Sequence, residues 1–292
     1  MHQSTHSQSI LQSHYGVQVH KLDSSAEPLT KLFQTVHPDI IFSTQAAGSF
    51  NTQKTYIDAA ITSHIPRFVL AEWDHDSLNP KVQERLPPYR ERAKALTYIQ
   101  QKSVNHEVEF VGVATGLTPL EHALISGNLG FDFTWHTATL HGNDQSAASL
   151  FPASSTNWIS RLALSIVQNW NEVKNSYLYA AEFLVSPEQI LSTLQTLPHV
   201  GEKWSCSEVR DVNELTQEAE RRFEMGFPDA GMMLLERSVL FDEEVRAVKS
   251  FFEKDVKKRL GLEEREQTLG KVVKRAAETF TKQGKGGNCG CD

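Results

Sequence analysis

The sequence predicts an α/β fold, a parallel sheet covered by helices, with a smaller C-terminal α/β lobe. Three observations carry this. Asp39–Thr115 reads as strand, helix, strand, loop, helix, strand. Its strands are short apolar runs (Ile40, Ile41, Phe42; Phe68, Val69, Leu70; Val108 to Ala114). Its first helix carries Tyr56, Ile57, Ala60 and Ile61 at one-face spacing. Short apolar strands alternating with helices of this length build a parallel sheet. Ligands bind outside the carboxyl ends of such strands. Those ends are Ser43-Thr44-Gln45, Glu72-Trp73 and Thr115-Gly116.

In chain order, residues 16–23 alternate and end in Asp23, which predicts a strand. Pro28 to Val36 predicts a short helix. The Asp39–Thr44 strand, the Gln53–His64 helix and the Arg67–Trp73 strand follow. A polar loop leads to a helix over about Arg90–Lys102 and a strand over Val108–Thr115. Phe131 to Asp144 reads as a strand and a turn, half of a hairpin. Ser155-Thr156-Asn157 caps a helix over Trp158–Gln168. Tyr177–Phe183 is a strand. Ser186-Pro187-Glu188-Gln189 opens a helix with a capping box and Pro at the first position. Val200–Val212 is an edge strand. From Asn213 the chain is helical and charged, and Asp242–Thr281 reads as an amphipathic helix through Val245, Val248, Phe251 and Phe252. Residues 1–125 are therefore expected to form the incomplete sheet domain, 126–282 a lobe and C-terminal helices interleaved with the sheet, and 283–292 a flexible Gly/Lys tail.

The 292 residues, 39% apolar and 22% charged, suit a soluble globular chain with an ample core. The net charge of −7 argues against nucleic-acid binding. No apolar run approaches the roughly 20 residues of a membrane span, and the first residues carry no secretory signal. Three cysteines form no disulfide framework and fit a reducing, cytoplasmic setting. The Cys289-Gly290-Cys291-Asp292 end lacks the pattern of a prenylation signal.

Several stretches in order resemble the NmrA-like and isoflavone-reductase-like families, atypical short-chain dehydrogenase/reductases. They are Gln53 with Ile57-Asp58-Ala59-Ala60, then Pro66 to Asp76, Thr115-Gly116, Ser126 to Phe131 and Tyr177 to Phe183. The family writes the second as V-K-R-F-x-P-S-E-F-G-x-D. The resemblance spans about residues 10–240 and implies a Rossmann-like sheet. It also implies NADP or NAD as cofactor and hydride transfer to a small aromatic or secondary-metabolite substrate. On this basis Ser43, Thr44, Gln45, Glu72, Thr115, Gly116 and Leu117 are the expected cofactor-binding residues. Arg92 would face the substrate carbonyl, and Tyr89 could donate a proton.

Two departures limit what carries over. Dinucleotide-binding sheets open with strand, glycine motif and helix, and no predicted strand here runs into such a motif. Gly127 and Gly130 lie in a turn with no strand before it. The 16–23 strand would then pair directly with Asp39–Thr44 or stay detached. Open edges invite self-association, so a homodimer is one assembly to expect. Second, the family's catalytic lysine in a P-x-F-x-x-K context aligns with Arg92 in Pro87-Pro88-Tyr89-Arg90-Glu91-Arg92. Arginine keeps charge and donors but does not deprotonate. Lys94 lies about 200° further round the helix and points elsewhere. The family's Ser and Gly in S-E-F-G are Ala71 and Asp74. These departures leave a non-catalytic dinucleotide sensor, or a truncated inactive copy, as alternatives.

Blander readings compete elsewhere. Glu72 to Asp76 hold metal-capable groups, but consecutive residues diverge, so a cleft rim with Glu72 capping backbone amides is preferred to a metal site. His136 and His141 read as surface histidines, and Tyr56 as core. No G-x-S-x-G elbow exists, which argues against serine-hydrolase chemistry.

Overall fold

The structure, a computed structural model, describes residues 16–22, 25–45, 49–141, 150–197, 204–242, 245, 248–262 and 267–286. The strands in chain order are β1 (Ile41–Phe42), β2 (Arg67–Val69), β3 (Glu109–Ala114), β4 (Phe131–Asp132), β5 (Thr137–His141), β6 (Phe151–Ala153), β7 (Ser176–Tyr179), β8 (Phe183–Val185) and β9 (Ser205–Arg210). β1, β2, β3 and β7 form one parallel sheet in that order. Phe68 is in register with Ile41 and Phe110, and Val111 with Val69 and Ser176. Side chains alternate across the pleat. Phe68 and Phe110 therefore join Ile57, Leu96 and Ile99 on one face, while Val69 and Val111 join Trp158, Leu162 and Ile166 on the other. Both faces are covered, which is why these strands read as apolar runs rather than alternations.

A second core holds Phe131, Phe133, Phe151, Trp204, Phe241 and Val272. β4 and β5 are the antiparallel hairpin expected at Phe131, and β9 pairs parallel to β5 at the edge. β6 and β8 pair separately. The helix caps read from the sequence are in place. Ser155 Oγ accepts the Trp158 amide at 3.2 Å. At 186–189 the capping box closes, with the Ser186 amide donating to Gln189 Oε1 and the Gln189 amide to Ser186 Oγ. Among the described residues no helix is long and apolar enough to cross a membrane.

Four expectations are corrected. Residues 17–22 are not a strand: Val17 and Leu22 are 43% and 46% exposed, and β1 ends the described sheet with nothing paired on its outer edge. Alternation alone makes no strand without a ladder to join. The 177–183 strand is two strands that belong to different sheets, because the chain leaves the parallel sheet after Tyr179. The 242–281 helix is broken into Val248–Glu253 and Leu269–Gly286; between them Asp255 bridges Tyr179 and Gly261 turns at φ 64°. The last helix also takes in the start of the segment read as a tail, and 287–292 lie outside the described residues.

Candidate active site

Leu70 still donates to Val111 O at 2.9 Å beyond the end of β2, and the chain then turns away. Asp74 returns to bridge Ala114, and its carbonyl accepts the amides of Thr115 and Gly116 at 3.0 and 3.1 Å. The 70–77 segment is thereby stitched to the end of β3, and its side chains are held in place.

Glu72 is 1% exposed. It accepts from the Ser77 hydroxyl, and the Ser77 amide donates to Tyr177 Oη at 3.0 Å. Burial pushes the Glu72 carboxyl up to about 7, against the opposing pull of Arg92 and Ser77. Near neutral pH it is divided between its two protonation states. Among the described residues Glu72 accepts from no backbone amide, contrary to the expectation; its partner is the Ser77 hydroxyl. Asp76 takes the Leu78 amide at 2.9 Å and the Tyr179 hydroxyl at 3.2 Å, and its own burial raises its carboxyl.

The Pro87–Val104 helix supplies the cation. Pro87 and Pro88 fix its start, and Tyr89 and Arg92, three apart, share one face. The guanidinium lies 4.5 Å from the Tyr89 ring centroid, a cation–π contact. Burial works to lower the Arg92 pKa, but Tyr89, Asp74 and Glu72 raise it further, so the cation is secure. Its Nε and Nη1 are buried and make no hydrogen bond. An unpaired buried donor costs about 1–3 kcal/mol, so such groups are retained where something binds them. Tyr89 is buried, and burial with Asp74 raises its hydroxyl well above the ordinary range, so it stays a neutral donor.

The turn at 126–130 closes the cluster. Asn128 Nδ2 donates to Glu236 Oε2 at 3.2 Å, while Asn128 Oδ1 is buried without a partner. Arg237 holds this turn by donating to the carbonyls of Gly127 and Asn128 at 2.6 and 2.7 Å. Glu236 is raised by burial and by Asp74. Asp74 Oδ1 makes no hydrogen bond, with His75 Nε2 3.8 Å away.

The structure thus brings Glu72, Tyr89 and Arg92 together. Ser43 and Gln45 sit at the neighbouring strand end: Ser43 Oγ accepts from Gln53 at 2.8 Å, and Gln45 Oε1 is buried and unpartnered. Thr44 is exposed. Trp73 stacks on Phe42 with its Nε1 buried and unpartnered. Thr115 and Gly116 act through backbone on Asp74, sealed from behind where Ser154 Oγ donates to Thr115 O at 2.7 Å. Leu117 packs into the second core. Lys94 is exposed and pairs with Glu91 at 2.5 Å, away from the cluster as the helix geometry requires. His141 is not a surface histidine: it is 2% exposed and stacked on Phe241. Among the described residues no group of three His, Cys, Asp or Glu is arranged for a metal ion. Sequence reading missed Asn128, Glu236 and Tyr177 as members. Glu236 has no local signal, since it lies more than a hundred residues from Asn128 and reaches it only through the fold.

These elements define a Rossmann-like α/β fold, and solved reductases share it. Leucoanthocyanidin reductase from Vitis vinifera, solved with NADPH, superposes with a TM-score of 0.67 at 14% identity, over 90% of this chain and 82% of that one. Isoflavone reductase superposes with a TM-score of 0.62 at 12% identity, over 90% and 80%. In sequence, the chain is 26% identical over 194 residues to the oxidoreductase aprR of Aspergillus flavus, a match spanning 66% of this chain and 63% of that protein's length. No protein-family model matches the chain.

Proposed function

We propose that this chain is an NAD(P)H-dependent oxidoreductase of the isoflavone-reductase type, acting on a small carbonyl compound at the Glu72–Arg92 cluster. The observation that carries it is the buried, unpartnered Nε and Nη1 of Arg92 between Glu72 and Tyr89, beside the carboxyl ends of parallel strands. The solved leucoanthocyanidin reductase of the same fold holds NADPH, which supports this cofactor class.

The residues fit one half of such a cofactor. Gln45 Oε1 and Trp73 Nε1, an acceptor and a donor left buried without partners at adjacent strand ends, suit a nicotinamide carboxamide. Among the described residues no strand leads into a G-x-G-x-x-G or G-x-x-G-x-x-G turn, so no cradle is assigned to the phosphates. A reduced nicotinamide, when bound, supplies the hydride. Arg92 would bind and polarise the carbonyl oxygen, since it presents charge without losing a proton. Glu72, with its carboxyl near 7, would hold the proton that the reduced oxygen takes up, and Tyr89 would orient the substrate as a neutral donor.

A second reading, a dinucleotide sensor without turnover, draws on arginine at the family's lysine position. Fluorescence titration with NADPH and NADH, followed by turnover assays on carbonyl compounds, separates them. Cofactor binding with turnover that falls at least about a hundredfold in Arg92→Ala is expected for the enzyme. Binding without turnover on any carbonyl tested leaves the sensor, and no binding by a folded chain removes both.

A further inference from the structure

We propose that Asp74 and Asn128 are specificity-determining residues that accept hydroxyl groups of a neutral carbonyl compound whose oxo oxygen is held by Arg92. This rests on the oxidoreductase reading of the cluster and names a substrate class for it.

Three elements meet there: the loop after β2, the Pro87–Val104 helix and the turn at 126–130. Arg92 brings buried N–H donors with no acceptor, while Asp74 Oδ1 and Asn128 Oδ1 are buried acceptors that make no hydrogen bond, although the Tyr89 hydroxyl lies against the Asp74 carboxylate and His75 Nε2 is 3.8 Å from Oδ1. In the structure Asn128 Nδ2 donates to Glu236 Oε2, which leaves Oδ1 as the free end of the amide. The three groups do not satisfy one another, so a ligand completing them offers an acceptor to Arg92 and donors to the two oxygens. A carbonyl compound with free hydroxyls does this. A carboxylate or phosphate does not, since it offers no donors and meets the carboxylates of Glu72, Asp74 and Glu236 beside Arg92. Asp74 also stands where the resembling reductases carry glycine, which has no side-chain acceptor to offer. The selectivity therefore belongs to this chain rather than to the fold.

The test is calorimetric binding to the full chain, without cofactor, of a dihydroxyacetophenone, its dimethyl ether and the matching dihydroxybenzoate. The dihydroxy ketone is expected to bind at least about tenfold tighter than either, because buried acceptors reject a ligand lacking the donor. Asp74→Ala and Asn128→Ala should each shrink that preference, while Asp74→Asn, which keeps an acceptor oxygen, should retain it. Circular dichroism verifies that the variants fold. The ether or the benzoate binding as well as the ketone, an undiminished preference in both alanine variants, or no binding of the ketone to the folded chain would each overturn the proposal. Selective binding with no NAD(P)H-dependent turnover would instead count against the oxidoreductase reading and leave this one standing.

Discussion

The Arg92 guanidinium lies 4.5 Å from the centroid of the Tyr89 ring, one helical turn away, and faces Glu72 and Asp74 with two of its nitrogens unpaired. It is the cation that offsets the carboxylates of the cluster. Arg92→Met should therefore destabilise the fold by about 3 kcal/mol at pH near 8, and by clearly less near pH 5, where the Glu72 carboxyl is protonated. Urea unfolding at both pH values checks this. An equal loss at both would mean that the cation is not offsetting those charges.

Glu72 gives a signed dependence on pH. Its carboxyl is raised to about 7 by burial, above the value of 4.5 it has when unfolded. The folded state thus holds the proton more tightly. The associated stability is fully present below about pH 4.5 and is lost as pH rises through about 7. The loss is on the order of 3 kcal/mol. Glu72→Gln should flatten the decline between about pH 5 and 7.5, leaving the smaller slopes of Asp76 and Glu236, which are raised in the same direction. An unchanged decline in the glutamine variant would refute the assignment.

Gly116 and Gly226 make a matched pair. Both have positive φ, 69° and 81°. A Cβ on Gly116 would stand 2.3 Å from Pro152 O, whereas Gly226 has open space around it. Gly226→Ala should cost only about 1 kcal/mol of backbone strain. Gly116→Ala should cost several times that, because β6 would have to leave the end of β3. Thermal melts of the two variants side by side give the comparison, and similar Tm losses would contradict it.

Ser186→Ala removes the hydroxyl that accepts the Gln189 amide. A loss of about 1 kcal/mol is expected, with the Pro187–Thr196 helix retained because Ile190 and Leu194 are buried beneath it. Denaturant unfolding with an unchanged slope is the expected observation.

The sheet was legible because Phe68 and Val69 are buried on opposite faces, and burial on both sides writes itself into sequence as an unbroken apolar run. The capping box at Ser186 was legible because a cap is a local device. Glu72, Tyr89 and Arg92 could be placed near one another by strand ends and by resemblance. Asn128 and Glu236 could not, because their meeting depends on how a turn and a distant helix dock. The lost strand at 17–22 failed for a related reason: alternation describes a residue's two faces and says nothing about which neighbour pairs with its edge. His141 was misread because a five-residue spacing on a strand does not disclose that Phe241 lies against it.

Gly112 sits in β3, and a Cβ there would come 2.9 Å from the Tyr177 ring and 3.6 Å from Glu72 Cγ. Tyr177 holds the Ser77 amide, and the Ser77 hydroxyl holds Glu72. A residue with no side chain of its own is thus the tuning position for the acidity of a carboxyl across the sheet. Substitution there would retune the site without touching anything it binds: Gly112→Ala should move the midpoint of the pH-dependent stability assigned to Glu72, while Arg92 keeps its place.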